Sequence, residues 1–196
     1  VMIRVSPLAT KAVLGYFGNF EGKSIDKIIK ISEITNAKIY QIVQYKTSKL
    51  DTSSLKIDSQ ILSASPGTVS ANLKTRIQWN GPKVWTIVSS NISILDQINT
   101  SCSDEDFAIT DLSHSRIILQ IAGENAINII KKGCPLDLNE FKINNCANSV
   151  FHGIAFSIDM LYDNPNTYNF MAYRSFADSF YHAITDASLE YGYKQE

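Results

Sequence analysis

Tyr168–Ala187 reads YNFMAYRSFADSFYHAITDA, and this stretch decides the fold. Its first part, Tyr168–Tyr173, is rich in aromatic residues and reads as a strand. The remainder changes period. Phe176, Phe180, Ala183, Ile184 and Ala187 recur at i, i+4, i+7, i+8 and i+11, the apolar stripe of a helix with one buried face. Ser175 and Asp178 form a capping-box-like pair at its start, and Gly192 lies just past its end. A strand that runs into an amphipathic helix predicts a helix packed on a sheet.

Working back from this stretch, Cys146–Phe151 and Ile154–Tyr162 read as strands, with His152-Gly153 and Asp163-Asn164-Pro165-Asn166 as turns. Ser115–Ala122 is a further strand. Gly123–Lys132 is a helix with Ala126, Ile127 and Ile130 on one face and Lys131 and Lys132 near its C-terminal dipole, stopped by Gly133 and Pro135. The preceding residues make a similar pass. Lys38–Tyr45 (KIYQIVQY) fits a strand, and Leu55–Leu62 has helical spacing at Leu55, Asp58, Ile61 and Leu62. Thr75–Trp79 and Lys83–Ser89 form a hairpin about Asn80-Gly81-Pro82, Ile92–Ile98 is a short helix, and Phe107–Leu112 closes the pass. The pattern predicts an α+β domain of two duplicated, ferredoxin-like βαββαβ halves, about 38–112 and 113–193, within a single domain at 38–196. Residues 1–37, mixed in Ser, Gly, Asn and Lys, read as an arm or loop.

A chain of 196 residues with 44% hydrophobic content can bury a core without disulfides or metal. Its 18 basic and 19 acidic residues give a net charge of −1, which argues against a general nucleic-acid binder. The average conceals a division: residues 1–100 carry 12 Lys/Arg against 6 Asp/Glu, and residues 101–196 carry 6 against 13. Such asymmetry can mark two contact surfaces. Apolar runs such as Ile117–Ala122 are too short to cross a bilayer. Arg4 is followed by no apolar signal region, so the expectation is a cytoplasmic protein. Cys102, Cys134 and Cys146 are odd in number and widely spaced, as reduced, buried thiols would be.

Several stretches imitate active sites. Gly18-Asn-Phe-Glu-Gly22-Lys23-Ser24 resembles a phosphate loop, but it has three residues between the glycines where four are needed and lacks a preceding strand. Cys134, Cys146 and His152 do not have metal-ligand spacing. Ser113 and His114 are adjacent, so on a strand they point to opposite faces and do not form a nucleophile and base by proximity alone. Asp178 and His182 are one helical turn apart, opposite the apolar stripe, where a solvated pair is the ordinary outcome. Nine Tyr and Phe residues between Tyr162 and Tyr193 exceed what a core needs, and the surplus suits an interface. Arg174 is the only arginine in the last eighty residues, and its planar fork suits a carboxylate partner.

Thr110–Gly123 (TDLSHSRIILQIAG), Ile130–Leu138 (IKKGCPLDL) and Tyr173–Asp178 (YRSFAD), with His182, Thr185-Asp186-Ala187 and Glu190-Tyr191-Gly192, together resemble the gamma subunit of heterotetrameric sarcosine oxidase in order and spacing. GCPLDL and RSFAD carry the specificity of the match. The resemblance implies a fold related to the folate-binding domain of glycine-cleavage aminomethyltransferases and an accessory, non-catalytic role beside alpha, beta and delta subunits. In that family the complex oxidises the N-methyl group of sarcosine to yield glycine and peroxide. FAD, FMN, NAD and tetrahydrofolate reside on other subunits, so no catalytic, cofactor or metal residue carries over to this chain. Tyr173, Arg174, Asp178, Tyr181 and His182, with Cys134 and Asp137, are the expected interface or motif positions. The alternative is a free-standing folate-binding protein of the same superfamily, because Lys132-Gly133-Cys134 echoes its motif; Pro135-Leu136-Asp137 departs from it.

Overall fold

Strand periodicity dominates the chain, and fourteen strands form among the described residues, either where it predicts a sheet face or where distant strands recruit a short alternation. The computed structural model describes residues 5–196; Arg4 lies outside the described residues. In chain order the strands of the first part are β1 (Gly15–Phe17), β2 (Ile29–Glu33), β3 (Lys38–Gln44), β4 (Lys56–Ile57), β5 (Gln60–Ile61), β6 (Val69–Ala71), β7 (Thr75–Gly81) and β8 (Val84–Ser89). Then follow α1 (Ile94–Ser101), β9 (Phe107–Asp111), β10 (Arg116–Ala122), α2 (Ala126–Gly133), β11 (Cys146–Phe151), β12 (Ile154–Asp163), β13 (Asn166–Tyr173), α3 (Ala177–Ser188) and β14 (Tyr193–Gln195).

The chain divides into two compact units, and the class is α+β. Unit 2, residues 36–114 and 144–147, holds a five-stranded sheet in the order β6-β7-β8-β3-β9, with β4 and β5 as a separate hairpin. Ile94 and Ile98 of α1 pack with Tyr40, Ile42, Ile77, Trp85, Ile87 and Phe107 to form its core. Unit 1, described over residues 5–35, 115–143 and 148–196, holds a seven-stranded sheet in the order β1-β14-β2-β10-β13-β12-β11. Its core is aromatic: Phe180 of α3 meets Phe151, Phe156 and Phe170, with ring centroids 5.6–6.4 Å apart.

The strand order repeats. β3-β8-β7-β6 in unit 2 has the same succession as β10-β13-β12-β11 in unit 1, and each series is followed by a helix, α1 or α3. The repeat extends to individual residues on the faces turned away from the helices. Thr110, Gln41, Thr86 and Gln78 are cross-strand neighbours in unit 2. Ser32, Gln120, Asn169 and Asp159 occupy the matching register in unit 1. Strand alternation puts these rows opposite the apolar faces, and Gln120 donates to Asn169 at 3.1 Å.

The halves differ at one edge. Beside β3 lies β9, the last strand of its own pass, but beside β10 lies β2, with β14 outside it and parallel to it. Residues expected to be an arm or loop therefore contribute two strands. Ile29 and Ile31 are fully buried with exposed Lys30 between them, an alternation only three residues long whose partners lie far away in sequence.

Local differences have identifiable causes. Leu55–Leu62 is not a helix: a 3-10 turn at Thr52–Ser54 leads into the β4–β5 hairpin, with Asp58 and Ser59 at φ 50° and 65°. Asp visits this left-handed region more readily than most residues. The β7–β8 turn falls one residue later than Asn-Gly suggests, at Pro82-Lys83. A bulge between Trp79 and Gly81 shifts the register, and Lys83 has φ 63°, the pattern of Pro followed by a left-handed residue. Ser175 does not cap α3. A 3-10 turn at Arg174–Phe176 precedes the helix, and the N-cap position falls on Phe176, which makes no side-chain capping bond.

The charge division does not follow the units. In sequence, residues 1–35, 115–143 and 148–196 contain 11 Lys/Arg and 12 Asp/Glu, and residues 36–114 and 144–147 contain seven of each. The segment before residue 36, with five Lys/Arg against three Asp/Glu in sequence, supplies β1 and β2 to the sheet that the acidic C-terminal half builds.

Candidate interface and motif residues

The stretches that imitate active sites have structural roles. Gly18 (φ 72°) approaches the Leu189 backbone so closely that a Cβ would lie 2.6 Å from Leu189 Cα. Asn19 N–H donates to the Leu189 carbonyl at 2.8 Å, and Lys23 Nζ donates to the Tyr191 carbonyl at 3.0 Å. The lysine of the phosphate-loop imitation thus holds a turn. Ser113 is buried, and its Oγ accepts from Ile39 N–H at 2.9 Å; it braces β3. All three cysteines are buried and free, and burial pushes the Cys102 thiol up to about 11. Among the described residues no group of three His, Cys, Asp or Glu side chains is placed to hold a metal ion. No helix among them is long and apolar enough to cross a membrane.

The GCPLDL string anchors α2. Gly133 packs closely: a Cβ there would lie 2.7 Å from His152 Cδ2 and 3.0 Å from Phe151 Cε2, so the His152 ring would have to move. The Gly133 carbonyl also accepts from His152 N–H at 3.1 Å. Cys134 is buried with Sγ 3.2 Å from Ser149 Oγ, and Leu138 is buried. Asp137 is exposed and accepts from Asn139 N–H at 3.0 Å, closing a local turn. Just before the string, Lys132 reaches the C-terminal end of α3. Its Nζ donates to the Ala187 carbonyl at 2.8 Å, pairs with Glu190 at 2.7 Å and lies 4.7 Å from the Tyr191 ring centre. A cation suits the negative end of a helix dipole.

The RSFAD region divides into inside and outside. Ala177, Phe180 and Tyr181 are buried. Tyr181 O–H donates to Gln195 Oε1 at 3.0 Å, and burial, reinforced by Tyr193, pushes its hydroxyl up to about 12. Tyr181 therefore packs the interior. Asp178 and His182 lie 3.5 Å apart with side chains 52% and 69% exposed, and Lys11 Nζ is also 3.5 Å from Asp178. Water screens pairs this exposed.

Tyr173 and Phe176 remain on the surface, 47% and 50% exposed. The Arg116 guanidinium lies 3.9 Å from the Tyr173 ring centre, a cation–π contact between residues paired across β10 and β13. Arg174 is fixed through its N–H, which donates to the Ser115 carbonyl at 2.9 Å. Tyr173 and Arg174 are recognisable by residue type. Arg116 is not, because only the β10–β13 register brings it there. The apolar stripe assigns Phe176 to the buried face of the helix, but the helix begins one residue later, leaving its ring at the rim.

In unit 2 the polar residues gather at the β4–β5 turn. Asp58 accepts from Thr75 Oγ1 at 2.5 Å and from Asn91 Nδ2 at 3.1 Å, and its own N–H donates to Gln97 Oε1 at 2.8 Å. The bonds to its carboxylate, led by that of Thr75, hold the carboxyl below the ordinary range. Beside it lies an open depression of about 330 Å³ lined by Lys56, Asp58, Asp96 and Gln97, among others.

Comparison with known proteins agrees with this architecture. A chain of heterotetrameric sarcosine oxidase from Corynebacterium sp. U-96, solved in complex with pyrrole 2-carboxylate, superposes with a TM-score of 0.82 over 97% of both chains at 22% identity. The glycine cleavage system aminomethyltransferase T from Bartonella henselae superposes with a TM-score of 0.67 at 14% identity, covering all of this chain and 59% of that one. The fold is thus the one shared by these two proteins. In sequence, the sarcosine oxidase subunit gamma of Corynebacterium sp. (strain U-96) is 26% identical over 134 residues, which span 66% of this chain and 64% of the relative. The family model described as "Sarcosine oxidase, gamma subunit family" matches residues 60–190, a stretch containing both GCPLDL and RSFAD, and the chain belongs to that family.

Proposed function

We propose that the chain is the accessory, non-catalytic gamma subunit of a heterotetrameric sarcosine oxidase. The observation that carries this reading is the family match over residues 60–190, supported by a fold equivalent over 97% of both chains to a chain of that enzyme. Its partners are the alpha, beta and delta subunits, which hold FAD, FMN, NAD and tetrahydrofolate and oxidise sarcosine to glycine in the cytoplasm. The family strings support a scaffolding role, since Gly133, Cys134, Ala177 and Phe180 fasten α2 and α3 to the sheet of unit 1. Co-expression of the alpha, beta and delta subunits with and without this chain tests the reading. Omission is expected to reduce the yield and activity of the complex, and full assembly and activity without the chain would overturn it. His182→Ala should leave the activity of the assembled complex unchanged, whereas a hydrolase built on Asp178 and His182 would lose its own.

The free-standing folate-binding alternative draws on Lys132-Gly133-Cys134, but those residues are engaged with Ala187, Glu190, His152 and Ser149. Titration of the isolated chain with a tetrahydrofolate derivative distinguishes the readings: micromolar binding would favour the alternative.

A further inference from the structure

The end of the β10–β13 ladder presents a surface whose composition disagrees with its local structure. Phe176 occupies the N-cap of α3, where Ser, Thr, Asp or Asn would stabilise the helix. It makes no capping bond and leaves half of its ring in water. Ser175 lies inside the 3-10 turn Arg174–Phe176 that leads directly into α3. Tyr173 is exposed to a similar degree three residues away, and Arg116 lies against its ring. Arg174, between the two aromatic residues, makes no ion pair among the described residues, while Asp178 pairs with Lys11 and His182. Departures from local sequence rules without a local gain concentrate at functional sites. Aromatic rings interleaved with guanidinium groups match the composition that dominates binding energy at protein interfaces.

We infer that Tyr173, Arg174 and Phe176, with Arg116 stacked on Tyr173, form the docking surface of unit 1 for a protein partner that offers an apolar socket rimmed by carboxylates. Charge complementarity selects this occupant. Arg174 presents a planar five-donor fork that pairs with carboxylate in two parallel bonds, and Arg116 adds a second positive charge at the Tyr173 ring. The Phe176 ring supplies the apolar area that such a socket would bury. Leu73 and Ile92, which are almost fully exposed in unit 2, serve as the comparison surface.

The inference rests on the reading of the chain as a subunit, with the partner being one of the other sarcosine oxidase subunits. The test is recovery of the alpha, beta and delta subunits on affinity-tagged full-length chain after co-expression. Arg174→Glu and Phe176→Asp are expected to reduce recovery at least about tenfold, Arg174→Lys to reduce it less, and Leu73→Asp with Ile92→Asp to change it less than about twofold. Thermal melting of each variant, expected within a few degrees of the parent, separates lost docking from lost folding. Normal recovery by folded Arg174→Glu and Phe176→Asp would overturn the docking surface and leave the subunit reading intact. Failure of the parent chain to recover any subunit would overturn the subunit reading, and this inference with it.

Discussion

Replacing Gly192 by alanine should peel the N-terminal segment of unit 1 from the turn after α3. Gly192 has φ 73°, and a Cβ there would lie 2.7 Å from the Asn19 carbonyl oxygen and 2.8 Å from both Asn19 C and Phe20 Cα. All three contacts are backbone atoms, so no side-chain rotation relieves them. Left-handed backbone costs an L-residue about 1–2 kcal/mol, and clearing an overpacked contact costs about 1–3 kcal/mol. The expected destabilisation is about 2–5 kcal/mol, a large part of a typical stability of about 5–15 kcal/mol. The damage should reach β2, because Ile29 N–H donates to the Gly192 carbonyl at 3.1 Å. Gly22 provides an internal control, with the same φ of 73° and no atom within 4 Å of the position a Cβ would take. Gly22→Ala should therefore lose only the conformational part, about 1–2 kcal/mol. Urea denaturation followed by far-ultraviolet circular dichroism measures both. Equal midpoints for Gly192→Ala and Gly22→Ala would refute the close backbone crossing.

Phe180→Ala, which empties the centre of the aromatic cluster with Phe151, Phe156 and Phe170, should cost about 3–5 kcal/mol in the same assay. The Asp58 carboxyl is held below its ordinary range by Thr75, so its stabilising effect is complete above the unfolded value of about 3.9 and is lost as pH falls through the lower folded value. Acid titration of stability should therefore be less steep below about pH 4 in Asp58→Asn than in the parent; parallel curves would contradict this. Cys102, with its thiol pushed up to about 11, should resist a thiol-specific reagent at about pH 8 in the native chain and react in denaturant.

Most of unit 1 is legible in the sequence because its strands are long and its helices carry full stripes: β12, β13, α2 and α3 stand close to where periodicity places them. Elements whose conformation depends on remote partners are not legible. β2 is held between β10 and β14. The β4–β5 turn is held open by Asp58, whose carboxylate accepts from Thr75 and Asn91 and whose N–H donates to Gln97, none of which adjoins it in sequence. The same distinction governs the candidate surface. Tyr173 and Arg174 stand out by residue type, but the Arg116 contact requires strand register, and the exposure of Phe176 depends on where α3 begins.

The most direct test of the subunit reading is the native mass of the complex recovered when this chain is co-expressed with the alpha, beta and delta subunits. The account predicts an assembly containing one copy of the 21.8 kDa chain together with the other three. A preparation in which the other subunits assemble without it, and the chain is found only as a free 21.8 kDa monomer, would contradict it.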